Sequence, residues 1–513
     1  MSNLAELIEG AAQAQDWSDR AALVIDGRTL SHEQVHDGAA RAASVLAGIG
    51  VGRGDAVLLA LADGAEFAWS FLGAVRLGAL AVPVNPHLPP EDHRHLARDC
   101  KAALVVCDDD LSSHFGGPIL LASALGSALA LAARHPAVAV AADEPAYAQY
   151  TSGTTGIPRA AVHRHGDPLV YTRAFAEGAI DMSPDDVLLS VSKMHFAYGL
   201  GNSLFFPLLT GACSILHPRR PRPGDIAELV ARHQATVLFA VPTFYANLLR
   251  HDTPAASFAS LRVAVSAGER LTPSLAQRTA DHLGCLVLDS LGSTEVGQAF
   301  AGGTLRRHRA HALGPALDPY EVAVRDEAGR DLGPGEVGTL WVRGPTVLVE
   351  YLGQPGATAA ALQDGWLRTG DRASLDEDGF LSHHGRVDDM EMVGGITVAP
   401  QEIEELLSSH PAVSEVAVVA VADPEGASHL QAFVVPALGA PADDLTAAEL
   451  LDLTRARLAA YKVPRSVHFL DGLPRTATGK LRRFVLRAGG LGPAPPRAGA
   501  PGVQVSLEAD ASR

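Results

Sequence analysis

Pro474-Arg-Thr-Ala-Thr-Gly-Lys-Leu-Arg-Arg483 sets a lysine in a glycine-flanked loop of a chain that hardly uses lysine. Only four of its 41 Lys and Arg residues are lysines: Lys101, Lys193, Lys462 and Lys480. In so arginine-biased a chain, a solvated surface charge would be written as arginine. Lys480 therefore points to work that guanidinium cannot do: a compact ammonium on a flexible stem can follow one oxygen as its charge develops. The plain alternative is an exposed basic segment. A second segment, Tyr150-Thr-Ser-Gly-Thr-Thr-Gly-Ile-Pro158, alternates hydroxyls and glycines after a stretch, Ala146 to Tyr150, that reads as a short strand. Glycines let successive backbone N–H groups turn toward one anion, and hydroxyls add donors that shift with a leaving phosphate. No Gly-Lys-Ser/Thr closes the loop, so it is not a Walker A motif. A flexible Ser/Thr/Gly linker is the alternative, against which stand the shortness of the segment and the patterned apolar sequence on both sides.

These loops need a scaffold. At 513 residues the chain exceeds one ordinary core, so two or more domains are expected. Its 47% apolar content, rich in Gly, Ala and Val, fits a soluble α/β protein. A formal net charge of −17 without a long basic run argues against nucleic acid or an anionic membrane as partner. Cys100, Cys107, Cys213 and Cys285 lack metal-type spacing and read as free thiols, mostly buried, in a reducing cytoplasm. Met1-Ser-Asn-Leu-Ala-Glu shows no export signal. The run from Ile119 to Ala133 is too short to span a bilayer and reads as a packed helix.

Ala21–Ile25 reads as a strand, Asp26-Gly27 as a tight turn, and Ser31-His-Glu-Gln34 as a capping box opening a helix to about Ile49, closed by Gly52. Ala56–Leu61 is then a strand and Phe67–Leu77 a helix. Strands recur around Val82, Thr236–Phe239, Leu261–Ser266 and Cys285–Leu288. Such alternation predicts parallel sheets covered by helices. From Tyr320 to Val349 the pattern changes to antiparallel hairpins, including Glu321–Arg325 and Gly338–Arg343.

Five segments stand in an order that resembles the adenylate-forming superfamily of acyl-CoA synthetases, peptide-synthetase adenylation domains and beetle luciferases. They are the Tyr150–Pro158 loop, Leu291-Gly-Ser-Thr-Glu295, Trp366-Leu-Arg-Thr-Gly-Asp371, Gly385-Arg-Val-Asp-Asp389 and Pro474–Lys480. The resemblance covers residues 20 to 488. Within the superfamily, His195-Phe-Ala-Tyr-Gly-Leu-Gly-Asn202 and Ser266-Ala-Gly-Glu269 look most like benzoate–CoA ligases and related aryl-CoA ligases. It implies an α/β fold: a large N-terminal domain, residues 1–387, of two mostly parallel sheets with helices plus a small antiparallel β-subdomain. A smaller mobile α+β domain, 388–488, would carry Lys480, and 489–513 would be a disordered Gly/Pro/Ala-rich tail.

The reaction implied is carboxylate plus ATP giving acyl-AMP and pyrophosphate, then transfer to the thiol of coenzyme A, in an enzyme that is a monomer or homodimer. On the resemblance, Thr151, Ser152, Gly153, Thr154, Thr155 and Gly156 hold the phosphates. Gly268, Glu269, Ser290, Leu291 and Asp371 hold the rest of the nucleotide, with Asp371 on the ribose. Glu295, after Thr294, is the Mg²⁺ ligand, as a hard cation prefers carboxylate and phosphate oxygens. Arg386 sits near the α-phosphate, and Lys480 bridges it to the attacking carboxylate. Asp388 is the hinge, and Gly394 and Gly395 belong to the thioester-forming arrangement. His195, Ala197, Tyr198, Gly292, Gln298 and Ala299 line the acid site, His195 either gating it or packing beside it.

The segment Phe196–Gly199 has no Asp to hold an α-ammonium, which disfavours an amino acid and leaves a small aromatic carboxylic acid, with Tyr198 or Gln298 able to meet a ring hydroxyl or amine. Three positions depart from the family pattern. Arg159 stands for lysine after the phosphate loop, Met392 for a lysine tied to the thioester step, and no basic cluster is assignable to the 3′-phosphate of CoA. These keep open a second acceptor, the phosphopantetheine of an acyl carrier protein or another nucleophile. A third reading is a catalytically silent nucleotide-binding protein, against which stand Lys480, Glu295 and Asp371 together.

Overall fold

A computed structural model of the protein describes residues 2–151, 158–251, 253–309, 312–386, 391–393, 396–422, 428–475 and 481–487. Two large sheets dominate. In the first, strands run in the spatial order Ile119–Leu121, Leu104–Cys107, Ala56–Ala60, Leu80–Pro83, Pro145–Thr151 and Arg159–Arg164. All neighbours are parallel except the last pair, whose antiparallel register sets Thr151 opposite Arg159. The second sheet has eight strands. Val263–Ser266, Val237–Ala240, Val187–Ser190, Cys213–Leu216 and Ala21–Ile25 form its parallel centre, flanked by Leu286–Gly292. Antiparallel strands Ala299–Gly302 and Arg28–Ser31 close its edges.

The parallel strands are short runs of Val, Leu, Ile and Ala, buried along their length because helices cover both faces. One contiguous core, with Phe67, Phe71, Tyr147, Phe205 and Phe206 at its centre, fills the space between the sheets. Five antiparallel strands follow, among them Glu321–Arg325, Gly338–Arg343, Trp366–Leu375 and Leu381–Arg386. Beyond them, strands Val413–Ala422, Ser428–Pro436 and Ser466–Phe469 pack with helices Pro400–Ser408 and Asp444–Arg457 around a separate core that includes Ile403, Leu430 and Leu450. The α/β fold class read from the sequence is the one observed.

Local readings fared unevenly. The capping box is present, with Ser31 Oγ accepting from Gln34 N and Gln34 Oε1 accepting from Ser31 N. Asp26 and Gly27 both adopt positive φ in the hairpin between the first two strands. The helix from His32 to Ile49 is closed by Gly50, not Gly52: Gly50 sits at φ 106°, where a side chain would be strained. The run from Ile119 is not one packed helix. It gives the edge strand Ile119–Leu121 and a short helix, Ala122–Leu129, and Leu131 is exposed. A parallel edge strand took the β-branched and Leu residues that length alone assigned to helix. Cys100, Cys107 and Cys213 are buried, Cys285 is half-buried, and all four are free. Among the described residues no helix is long and apolar enough to cross a membrane. The proposed tail 489–513 lies outside the described residues.

Candidate active site

A cavity of about 1630 Å³ opens where the two large sheets, the antiparallel strands and the C-terminal segments meet. Parallel strands end there in loops, and such crevices are where open α/β sheets bind ligands. Thr151, Gly268, Glu269, Ser290, Leu291, Thr294, Glu295, Asp371 and Arg386 line it, as do Ala197, Tyr198, Gly292, Gln298 and Ala299. These come from sequence positions 151 to 386, so the fold gathers residues the sequence scatters. His195 is the described candidate that does not line the cavity. Ser152, Gly153, Thr154, Thr155, Gly156, Asp388, Gly394, Gly395 and Lys480 lie outside the described residues, as does the side chain of Met392.

At one end the cavity carries charge. Asp371 and Arg386 are register partners on adjacent strands, and Arg386 Nη1 donates to Asp371 Oδ1 at 3.2 Å. His383 Nε2 lies 3.4 Å from the same oxygen, and Asp371 N donates to Thr369 Oγ1. Burial works to raise the Asp371 carboxyl, but the His383 hydrogen bond and the Arg386 charge outweigh it and leave it below the usual range. A Thr369 side-chain hydrogen bond adds to the hold on the Asp371 carboxyl, and the buried Arg386 Nε has no acceptor among the described residues.

Glu295 has one oxygen engaged, Oε1 accepting from Tyr351 Oη at 2.9 Å. Its backbone is fixed through Leu348 N, and Thr294 O receives His163 Nε2 at 2.7 Å. Glu295 lines the cavity wall. No cluster of three or more His, Cys, Asp or Glu able to hold a metal occurs among the described residues. A single carboxylate still suits Mg²⁺ where a ligand brings phosphate, because the ion takes one or two carboxylates and completes its shell with phosphate oxygens and water. Tyr351 and the Arg159 guanidinium 5.6 Å above its ring complete this corner.

Glu269 is committed to protein. Thr243 N donates to its Oε2 at 3.0 Å, and Arg475 Nη1 to its Oε1 at 2.7 Å. Arg475 also holds Glu415 at 2.8 Å, and Arg250 reaches the same carboxylate at 2.9 Å. Arg270 pairs with Glu405 at 2.6 Å. These contacts dock the C-terminal segments over the cavity and hold Arg475, five residues before Lys480, at its rim.

The other end is quieter. Tyr198 Oη donates to Val265 O at 3.2 Å, and burial holds its hydroxyl well above the usual range. The Gln298 amide is turned inward, Nε2 3.4 Å from both Tyr198 O and Asn202 Oδ1, with Oε1 accepting from Ala299 N. His195 is buried edge-on to Phe196, its Nε2 without a partner. Burial, then the nearby Lys193 and His87 charges, push its pKa down to about 3, so it is neutral at ordinary pH.

Two groups here escaped the sequence reading. Asp289 precedes Ser290 on its strand and lines the cavity, its Oδ1 accepting from Ser290 N at 3.1 Å. Burial pushes its carboxyl well above the usual range, against the pull of that N–H and of Arg270. A carboxylate at the end of an apolar strand run was the available signal. Tyr351 gave none, because its contact with Glu295 spans 56 residues of chain.

This fold and this cavity define a nucleotide-dependent, acid-activating type of enzyme, and the comparisons agree. Residues 10–352 match the AMP-binding enzyme family and residues 402–480 the AMP-binding enzyme C-terminal domain. The chain belongs to the AMP-binding, adenylate-forming enzymes, and its relatives place it among their acid ligases. It is 42% identical over 487 residues to p-hydroxybenzoic acid–AMP ligase of Mycobacterium tuberculosis, covering 94% of this chain and 68% of that one. It is 34% identical to 3-hydroxybenzoate–CoA ligase of Aromatoleum sp., covering 94% and 96%. Among solved structures it is similar to a benzoate CoA ligase from Burkholderia xenovorans, with TM-score 0.88, 32% identity, and 94% and 99% of the two chains covered.

Proposed function

We propose that this enzyme activates a benzoate-class acid, with a hydroxybenzoate as the first candidate, by forming its acyl-adenylate from ATP. The observation that carries the reading is one cavity lined by Glu295, Asp371, Arg386 and Asp289 at one end and by Phe196, Ala197 and Tyr198 at the other. The names of the relatives supply the acid class: p-hydroxybenzoic acid at 42% identity, 3-hydroxybenzoate at 34%.

In this reading an acid carboxylate oxygen attacks the α-phosphorus, the bond to the bridging oxygen breaks, and pyrophosphate leaves. Catalysis is then mostly alignment and charge stabilisation. Asp371 accepts from the ribose hydroxyls, and the Arg386 guanidinium sits near the α-phosphate. Glu295 is the protein ligand for Mg²⁺, which when bound neutralises phosphate charge; Tyr351 fixes that carboxylate's rotamer. Thr151, with the loop after it, holds the outer phosphates. Lys480, delivered by the segment anchored through Arg475 to Glu269, stabilises the charge shared by attacking carboxylate and α-phosphate. Arg475 and Glu269 act as a clasp. Asp388 is the hinge at which the clasped arrangement gives way to one that admits the acceptor, with residues 388–488 moving as the second domain and Gly394 and Gly395 serving it.

Coenzyme A is the acceptor in this proposal. A carrier-bound phosphopantetheine is the second reading, and one observation favours it: the relatives at 41–42% identity are named for AMP, and the CoA ligases follow at 33–35%. The deciding experiment supplies 4-hydroxybenzoate, ATP and Mg²⁺, with and without CoA, and follows pyrophosphate and thioester. Multiple turnover with thioester formed supports CoA. One pyrophosphate per enzyme, unchanged by CoA, supports the carrier. No pyrophosphate with any benzoate overturns the acid class.

A further inference from the structure

Of the four lysines, Lys101 and Lys462 are accounted for as surface groups, one at positive φ in an exposed turn and one paired with Glu402. Lys193 differs. Its side chain keeps only 16% of its accessible surface, in a chain that carries 37 arginines to four lysines. It stands in the turn that follows strand Val187–Ser190 of the eight-stranded sheet. Its ammonium donates to the His217 carbonyl and lies 3.9 Å from Asp63 Oδ2. Asp63 belongs to the other large sheet, in the turn after strand Ala56–Ala60, and its side chain is 4% exposed. Its Oδ1 accepts from Met194 N at 3.0 Å. One buried carboxylate therefore holds both the backbone and the side chain of a turn built on the opposite sheet.

The turn it holds is the wall of the acid end. Ser192 before the held residues, and Phe196, Ala197 and Tyr198 after them, line the cavity, whereas Asp63, Lys193 and Met194 stand behind it. The turn has little slack. Phe196 N donates to Lys193 O at 3.0 Å, and a Cβ placed on Gly199 would come within 2.0 Å of that oxygen. Burial raises the Asp63 carboxyl to about 6 against the pull of Lys193, and burial lowers the Lys193 ammonium against the pull of Asp63, so each group holds the other charged. A guanidinium, broader and planar, does not fit between a carboxylate and a carbonyl as a compact ammonium does.

We propose that Asp63, with Lys193, is a positioning residue for the reaction: it pins the turn Lys193–Gly199 to the opposite sheet and so sets where the acid's ring can lie. This rests on the reading that the acid lies against Phe196–Tyr198. Among the described residues, Asp371, Arg386, Glu295 and Glu269 make no hydrogen bond to Asp63 or Lys193, so its loss should fall on the acid and spare ATP.

The test takes the full-length enzyme as Asp63→Ala and Asp63→Asn. Asparagine keeps an oxygen for Met194 N; alanine does not. Hydrogen exchange of a peptide covering residues 192–199, without substrate, should speed up in Asp63→Ala and stay near wild type in Asp63→Asn. In pyrophosphate release, Asp63→Ala should raise KM for the benzoate about tenfold, leave KM for ATP within about twofold, and Asp63→Asn should recover most of the loss. Should Asp63→Ala fail to fold, the double variant Asp63→Leu with Lys193→Met, an apolar replacement of the kind folds accept for a buried pair, carries the same expectation. Equal shifts in both KM values, or faster exchange with an unchanged acid KM, would overturn the proposal. Wild-type enzyme silent with every benzoate would instead strike at the functional reading, and the exchange measurement would still decide whether the clamp exists.

Discussion

The two ends of the cavity are built on opposite principles. At the charged end, Asp371, Arg386, Glu295 and Asp289 bring ionisable groups to the cavity wall, each oriented by a contact to protein. At the acid end, Tyr198 and Gln298 have given their hydrogen bonds to the backbone and to Asn202, and His195 is buried and neutral. Charged groups on a wall recognise a ligand by its charge and hydrogen bonds; hydroxyl and amide groups already bonded to protein leave mostly shape. On the proposed function, the lesson is that one end would read a constant partner, the nucleotide, and the other would sort a variable one, the acid, largely by fit.

Substitutions that break this contrast should differ in size and in the parameter they move. Largest is Lys480→Ala, which removes the cation at the developing charge: the adenylation rate should fall on the order of 10² to 10³-fold or more, with smaller changes in either KM. Asp371→Ala should come next, raising KM for ATP by about ten- to a hundredfold and leaving the acid's untouched, as steady-state kinetics in both substrates would reveal. Ala197→Leu narrows the acid end without adding polarity. It should cost bulky benzoates about tenfold in kcat/KM while unsubstituted benzoate suffers less, and a panel of ring-substituted acids would rank the effect. Tyr198→Phe removes a hydroxyl already tied to Val265 O, so selectivity for a hydroxybenzoate over benzoate should change by less than about threefold. A tenfold loss there would mean that the hydroxyl meets the substrate after all.

The smallest effect is one of pH. His195, held down to about 3, stays neutral from pH 6 to pH 9, so KM for the acid should be flat across that window. The sign for stability is the opposite of indifference. A histidine whose folded pKa lies below its unfolded value resists protonation only while folded, so its contribution is intact above about pH 6.5 and is lost as pH falls toward the folded value. His36 and His165, each lowered to about 4 with burial the leading cause, add in the same direction. Thermal unfolding should therefore show Tm falling from pH 6.5 to pH 4; a Tm that rises on acidification would contradict the buried, neutral state of these rings.

Much of the scaffold was legible because it is written locally. The capping box Ser31–Gln34 and the Asp26-Gly27 turn each depend on neighbours a few residues apart, and the strands Glu321–Arg325 and Gly338–Arg343 show in their own residue pattern. Misreadings arose where distant context decided. Ile119–Leu121 became a strand because Leu104–Cys107 offered it an edge, which no window around residue 120 contains. Gly50 rather than Gly52 ended the helix, a difference of two residues that propensity does not resolve. In the site, the candidates came through motif order and family resemblance, and the structure adds what spacing cannot carry. Tyr351 on Glu295, Arg475 on Glu269 and Asp63 on Met194 are contacts between segments 56, 206 and 131 residues apart.

The most direct test of the central claim is acid-dependent exchange of labelled pyrophosphate into ATP, run with 4-hydroxybenzoate and Mg²⁺ and with no CoA or carrier present. The account predicts exchange that requires the acid, persists without any acceptor, and disappears in Lys480→Ala. Exchange that needs CoA, or ATP binding with no exchange for any benzoate offered, would contradict it.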